Sequence, residues 1–188
     1  MRIAVDLDGV LADTMVAFCR ILNERRSTQF TVESFTQWNA WEIAHITKDE
    51  FFRTLDQAWF QWRTIPATEE SLADKVGLLR NFGKVDIVTG RSEETVPYAN
   101  LWLKEHHISY DEFIRTDSTR AKVKLNYGVY VDDSADLMSL IASRLDSSGI
   151  LYSQPWNRRA PDMPNIFRVK RWEEIPTVLQ RLAESKIR

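Results

Sequence analysis

The chain has 188 residues, 44% hydrophobic and 28% charged, a mixture that excludes a disordered or collagen-like polymer and fits one domain with a small insertion. Lys and Arg total 25 against 27 Asp and Glu, a net charge of −2, which argues against a dedicated binder of long nucleic acid. A small phosphorylated ligand stays open, because it needs only a local positive site.

Residues 2–8 open with Ile3, Val5 and Leu7 around Ala4, the pattern of a short buried strand that ends in acids. Asp13 or Thr14 caps a helix reaching Arg26, with Phe18, Cys19, Ile21 and Leu22 as apolar positions. From residue 29 to 64 aromatic residues replace Val and Ile, and Thr47-Lys48-Asp49-Glu50 has the form of a capping box. Beyond Pro66 the expected elements are a helix over 69–81, a strand over 84–89, a helix over 93–106, and a short strand over 112–115. They continue with a strand over 128–132, a helix over 135–145, strands over 149–152 and 166–169, and a closing helix over 172–185. Residues 153–165 form a long loop with Pro155, Pro161 and Pro164.

Strands that alternate with helices imply an α/β fold, a Rossmann-like parallel sheet with helices on both faces. The aromatic stretch reads as a small helical cap inserted into it. The expected division is a core of residues 1–26 and 65–188 and a cap of residues 27–64. No run approaches the roughly 18 apolar residues of a membrane helix, and the start meets Asp6 too early for a secretory signal. Cys19 alone makes neither an internal disulfide nor a thiolate metal cage. A cytoplasmic protein with no membrane partner is expected; oligomeric state is not readable.

Ligands of open α/β sheets bind beyond the carboxyl ends of the strands. Those ends here carry Asp6-Leu7-Asp8-Gly9, Thr89-Gly90-Arg91 and Asp132-Asp133. Carboxylates gathered in one crevice need a cation, and an all-oxygen set suits Mg²⁺. One acid of the first pair can attack phosphorus while its neighbour moves a proton. Gly9 permits an unusual φ at the turn. Thr89 offers a hydroxyl and Gly90 a bare N–H to a phosphate oxygen, and Lys122 or Lys124 offers a positive charge.

This constellation resembles the haloacid dehalogenase-like superfamily of phosphohydrolases. Its four motifs look like Asp6-Leu7-Asp8-Gly9-Val10-Leu11-Ala12-Asp13, Val88-Thr89-Gly90-Arg91, Lys122, and Val131-Asp132-Asp133. Within it the chain most resembles the 5′(3′)-deoxyribonucleotidase family. The supporting features are the inserted cap, a lysine ten residues before the Asp pair, and Gln154-Pro155-Trp156-Asn157-Arg158. The resemblance implies Asp6 as nucleophile and Asp8 as general acid and base. It implies Mg²⁺ held by Asp6, the backbone carbonyl of Asp8, and one of Asp132 and Asp133, with Asp133 preferred. It also implies phosphate binding by Thr89, Gly90 and Lys122, with Arg91 as a further contact.

Aromatic side chains in a small cap either build its core or stack on a flat base. Trp38, Asn39 and Trp41 are the candidates to meet substrate: the two rings on one helical face, Asn39 for a hydrogen bond to a base edge. The expected activity is 5′-nucleotidase-like hydrolysis of (deoxy)nucleoside monophosphates. Two other readings remain. A phosphatase for another small metabolite would need a more polar cap. A non-catalytic module on the same fold would lack the nucleophile or the acid, and this chain has both.

Overall fold

The computed structural model describes residues 1–185. Strand β1 (Arg2–Val5) lies between β2 (Lys84–Thr89) and β4 (Val129–Asp132), all parallel. Strands β3 (Phe113–Arg115), β5 (Ser148–Tyr152) and β6 (Ile166–Val169) complete a sheet of order β3-β2-β1-β4-β5-β6. Alternate residues of β1 serve opposite faces. Ile3 and Val5 join a large core with Val76, Leu103 and Leu179, while Ala4 joins a smaller one with Tyr130, Leu137 and Ile141. Helices therefore cover both faces, as expected.

The register sets the site. Val5 is level with Ile87 on one side and Val131 on the other, so Asp6 and Asp132 each lie one residue beyond a matched pair. The first strand is shorter than residues 2–8: it ends at Val5, and the chain then turns, with Ala12 N–H donating to the carbonyl of Leu7 at 2.9 Å.

Helix α1 (Thr14–Arg26) has two apolar faces. Ala17 and Ile21 meet the main core, while Phe18, Cys19 and Leu22 meet Phe35, Phe51 and Leu55 of the aromatic stretch. That stretch holds a short helix α2 (Ala40–Ile43) and helix α3 (Lys48–Phe60). Thr47 caps α3 by accepting from Glu50 N–H at 3.1 Å. Ala58, Trp59 and Trp62 belong to the main core, so α3 is welded to the α/β body by apolar burial.

Helix α4 (Leu72–Leu79) starts later than expected. The carboxylate of Glu69 is drawn instead to Lys75, the Tyr152 hydroxyl and Trp172 N–H, and Ser71 has φ 52°. Helix α5 (Val96–Glu105) follows a 3₁₀ turn at Glu93–Thr95. Helix α6 (Thr119–Val123) was not expected from the sequence; Ser118 caps it by accepting from Ala121 N–H. Helix α7 (Ala135–Ala142) is one turn shorter than expected, and α8 (Ile175–Ser185) closes the described chain behind a 3₁₀ turn at Trp172–Glu174. Among the described residues no helix is long and apolar enough to cross a membrane.

Candidate active site

Asp6 follows β1 directly and its N–H still donates to the carbonyl of Val131 at 2.9 Å, which fixes its backbone to the sheet. Three residues on, Gly9 has φ 72°, and a Cβ there would stand 2.4 Å from Oδ2 of Asp133. Only glycine allows both that conformation and that approach.

Helix α6 brings Lys122 to Asp6. Its Nζ lies 2.7 Å from Oδ1 of Asp6 and 2.6 Å from Oδ2 of Asp132. Lys124, the other candidate, is exposed. The carboxylates of Asp6, Asp132 and Asp133 converge, with one oxygen of each within 4.8 Å of the others. Burial, reinforced by the charges of Asp132 and Asp8 and opposed by Lys122, pushes Asp6 up to about 7. Burial also raises Asp133 well above the usual carboxylate range, helped by Asp132 and Asp6. Burial acts to lower Lys122, but Asp132 and Asp6 outweigh it and hold the ammonium above its ordinary value. One buried ammonium among three converging carboxylates leaves an excess of negative charge, the condition a hard divalent cation satisfies.

Asp132 and Asp133 are not equivalent. Asp132 gives Oδ2 to Lys122 and Oδ1 to Ser134 N–H, so both its oxygens are engaged. Asp133 accepts from the Trp156 indole at 2.8 Å on Oδ2 alone. Residues 154–157 brace this corner. Gln154 Nε2 donates to the carbonyl of Gly9, and Asn157 Nδ2 donates to the carbonyls of Asp133 and Tyr152.

Asp8 stands outside the convergent cluster. Its Oδ1 accepts from the Thr14 hydroxyl at 2.6 Å and from the Trp59 indole at 2.9 Å. Its Oδ2 lies 2.9 Å from Nε of Arg91, a charge contact whose N–H is not aligned for a hydrogen bond. Arg91 is only 7% exposed, so it is not a solvated helix-start residue; it sits between Asp8 and Asp56 of α3. Thr89 is fully buried and its Oγ1 accepts from Arg91 N–H at 3.3 Å. Gly90 has nothing within 4 Å of where a Cβ would be, leaving its backbone open to a ligand.

A cavity of about 220 Å³ runs from these groups to the aromatic segment. Asp6, Asp8, Gly9, Gly90, Arg91 and Asp133 form its head, and Met15, Trp38, Trp41, Phe51, Phe52 and Leu55 form its walls. Trp38 and Trp41 both reach it, but not from one helical face: α2 begins at Ala40, after Trp38. Asn39 is not among the lining residues, because its side-chain amide donates outward to Glu42 at 3.0 Å. Trp41 packs against Phe51 and Phe52, whereas Trp38 is 47% exposed at the rim.

Thr14, Trp59, Gln154 and Trp156 touch site residues and were not singled out for it from the sequence. An indole N–H shows its type in sequence but not its acceptor. Gln154-Pro155-Trp156-Asn157 stood out as a segment, without the contacts that explain it.

The family described as 5′ nucleotidase, deoxy (Pyrimidine), cytosolic type C protein matches residues 1–184. The chain belongs to this family. It is accordingly a phosphoric monoester hydrolase of the nucleotidase-like kind. A nucleotidase of Clostridium acetobutylicum is 22% identical over 188 residues, covering 98% of this chain and 96% of that one. A haloacid dehalogenase-like family hydrolase from Xanthomonas campestris superposes with a TM-score of 0.61 at 12% identity, over 100% of this chain and 98% of the other. The Bacillus subtilis protein YfnB, solved bound to magnesium, gives 0.58 at 13% identity, over 95% and 97%. These structures share the haloacid dehalogenase-like fold with this nucleotidase-family chain.

Proposed function

We propose that this protein is a cytoplasmic, Mg²⁺-dependent phosphomonoesterase that forms an aspartyl phosphate on Asp6 and acts on nucleoside or deoxynucleoside monophosphates. The observation that carries this reading is Asp6 at the head of an aromatic-walled cavity, backed by the Lys122 ammonium 2.7 Å away. Residues 27–64 act as the cap that supplies the rings.

The donor set fits the metal: Asp6 and Asp133 would be its side-chain ligands, with the backbone carbonyl of Asp8, while Asp132 is occupied by Lys122 and Ser134. When bound, Mg²⁺ would neutralise charge on the phosphoryl oxygens beside the attacking carboxylate. A second cation at the head, Arg91, and the open N–H of Gly90 suit the same anion, and the Thr89 hydroxyl keeps its hydrogen free to donate.

In the first step an oxygen of Asp6 bonds to phosphorus. The ester P–O bond breaks, and its electron pair and the proton of Asp8 go to the leaving oxygen. In the second step Asp8 takes a proton from water as that water attacks phosphorus. The bond from phosphorus to Asp6 breaks, releasing phosphate and restoring the carboxylate.

The aromatic walls favour a flat base over a sugar phosphate, whose hydroxyls want polar partners. The test is phosphate release across nucleotides and sugar phosphates with Mg²⁺. The highest kcat/KM is expected on a nucleoside monophosphate. Equal or better turnover of sugar phosphates would assign the cavity to another metabolite.

A further inference from the structure

The indole N–H of Trp156 donates to Oδ2 of Asp133 at 2.8 Å, and the same oxygen lies against Gly9. The place a Cβ of Gly9 would take is 2.4 Å from that oxygen and 3.0 Å from the Trp156 ring, so backbone and ring wall Oδ2 in. The donor is also fixed. Trp156 stands in a 3₁₀ turn, Pro155–Asn157, that is tied down on several sides. Gln154 Nε2 donates to the Gly9 carbonyl at 2.6 Å, and Asn157 Nδ2 donates to the Asp133 carbonyl at 2.9 Å. Arg168 in turn donates to Oδ1 of Asn157 at 3.1 Å, and the Trp156 ring packs on the aromatic cluster of the inserted segment.

Asp6 is limited in the same way, because Lys122 holds its Oδ1. Among the described residues, Oδ2 of Asp6 and Oδ1 of Asp133 accept no hydrogen bond. Each of these acids therefore has a single oxygen to give and cannot clasp a cation with both. That limit sorts ions by coordination. Mg²⁺ demands a near-ideal octahedron and is served by single carboxylate oxygens with water and phosphate. Ca²⁺ takes more oxygens and readily accepts both from one carboxylate.

We propose that Trp156 is a positioning residue that sets which divalent cation the cluster takes: by holding Oδ2 of Asp133 it restricts that carboxylate to one ligating oxygen, which favours Mg²⁺ over Ca²⁺. The proposal rests on the reading of Asp6 and Asp133 as metal ligands. Such an outer partner also fixes the ligand's orientation before the ion arrives, an effect on the order of 10–100-fold in metal affinity.

The test is calorimetric titration of the whole chain with MgCl₂ and with CaCl₂, without substrate. The wild type should bind Mg²⁺ more tightly than Ca²⁺. Trp156→Phe keeps a ring and removes the N–H. It should weaken Mg²⁺ binding by about tenfold or more. It should weaken Ca²⁺ binding by less than about threefold, because a freed carboxylate can turn both oxygens to the larger ion. An equal loss on both cations, or on neither, would make Trp156 merely structural and overturn the proposal. The wild type carries the test if the variant does not fold: Ca²⁺ bound as tightly as Mg²⁺ overturns the proposal without any substitution. Asp133→Asn separates this proposal from the reading beneath it. If that variant keeps its Mg²⁺ affinity, Asp133 is not a ligand and both fall. If it loses Mg²⁺ while Trp156→Phe moves neither cation, only the role of Trp156 fails.

Discussion

Lys122 and Asp6 are joined by a 2.7 Å ion pair between residues 116 apart in the chain. The same ammonium reaches Asp132 at 2.6 Å, so one buried cation holds the end of β1 against the end of β4. Removing it leaves buried carboxylates without their partner. Lys122→Met is expected to reduce turnover by about 10²–10³-fold, the scale of losing one fixed group that stabilises transition-state charge. It should also cost about 3–5 kcal/mol of metal-free stability, the scale of breaking a buried pair by removing one partner. Denaturant melts with and without Mg²⁺ check this; the deficit should shrink when the metal supplies positive charge.

Asp6→Asn should abolish turnover while the protein remains folded, because an amide cannot form the acyl phosphate. Phosphate release beside a circular dichroism melt reads both. Turnover near the wild-type rate, without deamidation, would sink the nucleophile assignment.

The same substitution has a pH signature. Burial, with Asp132 and Asp8, raises Asp6 to about 7, against an ordinary value near 3.9 in an unfolded chain. Between those values the folded state holds the extra proton, so without metal the Asp6 contribution to stability falls as pH rises through this window. Asp6→Asn escapes that loss. Its melting temperature relative to wild type, measured in EDTA, should therefore rise from pH 5 to pH 8. A constant or shrinking difference would contradict the raised value.

Metal removal should silence the enzyme. Activity is expected to vanish in EDTA and return with Mg²⁺. At a free Mg²⁺ concentration 100 times its dissociation constant, the wild type should gain about 2.7 kcal/mol of stability. Asp133→Asn should lose most of that gain. Full activity of metal-stripped protein would remove Mg²⁺ from the mechanism.

The two cavity tryptophans should separate binding from packing. Trp38 is 47% exposed, so Trp38→Ala should leave the melting temperature nearly unchanged. It should lower nucleotide kcat/KM by about ten- to hundredfold, the scale of one stacking contact, and spare p-nitrophenyl phosphate. Trp41 packs on Phe51 and Phe52, so Trp41→Ala should lower the melting temperature as well and reduce both activities. If the ratio of the two kcat/KM values does not move in Trp38→Ala, that ring does not meet the base.

The catalytic end of the sheet was legible because it is written in short-range terms. The apolar runs of the strands at Arg2–Val5 and Val129–Asp132 end where the residues change character, and the acids Asp6, Asp132 and Asp133 come at once. Lys122 was legible only by its spacing to Asp132. Its helix spans Thr119–Val123, too short to show a period, and its contact with Asp6 is purely tertiary. The aromatic segment misled in detail for a related reason. Spacing of three places two rings on one face only if a helix contains both, and Trp38 precedes α2. Which ring builds core and which meets ligand depends on α1 and α3 packing face to face, a fact no local pattern records.

The position of β1 bears on how the chain is made. Arg2–Val5 is translated before both of its sheet neighbours, the strands that begin at Lys84 and Val129. At a synthesis rate of about 5–20 residues per second, roughly ten seconds separate the appearance of this strand from that of its second neighbour. Throughout that interval at least one edge of the Ile-Ala-Val segment lacks its partner, and a bare apolar edge is a template for pairing with another chain. Nascent chains on crowded polysomes are thus the stage at which this protein is most open to aggregation, and holdase chaperones that cover the first strand should raise its soluble yield more than changes to the finished fold.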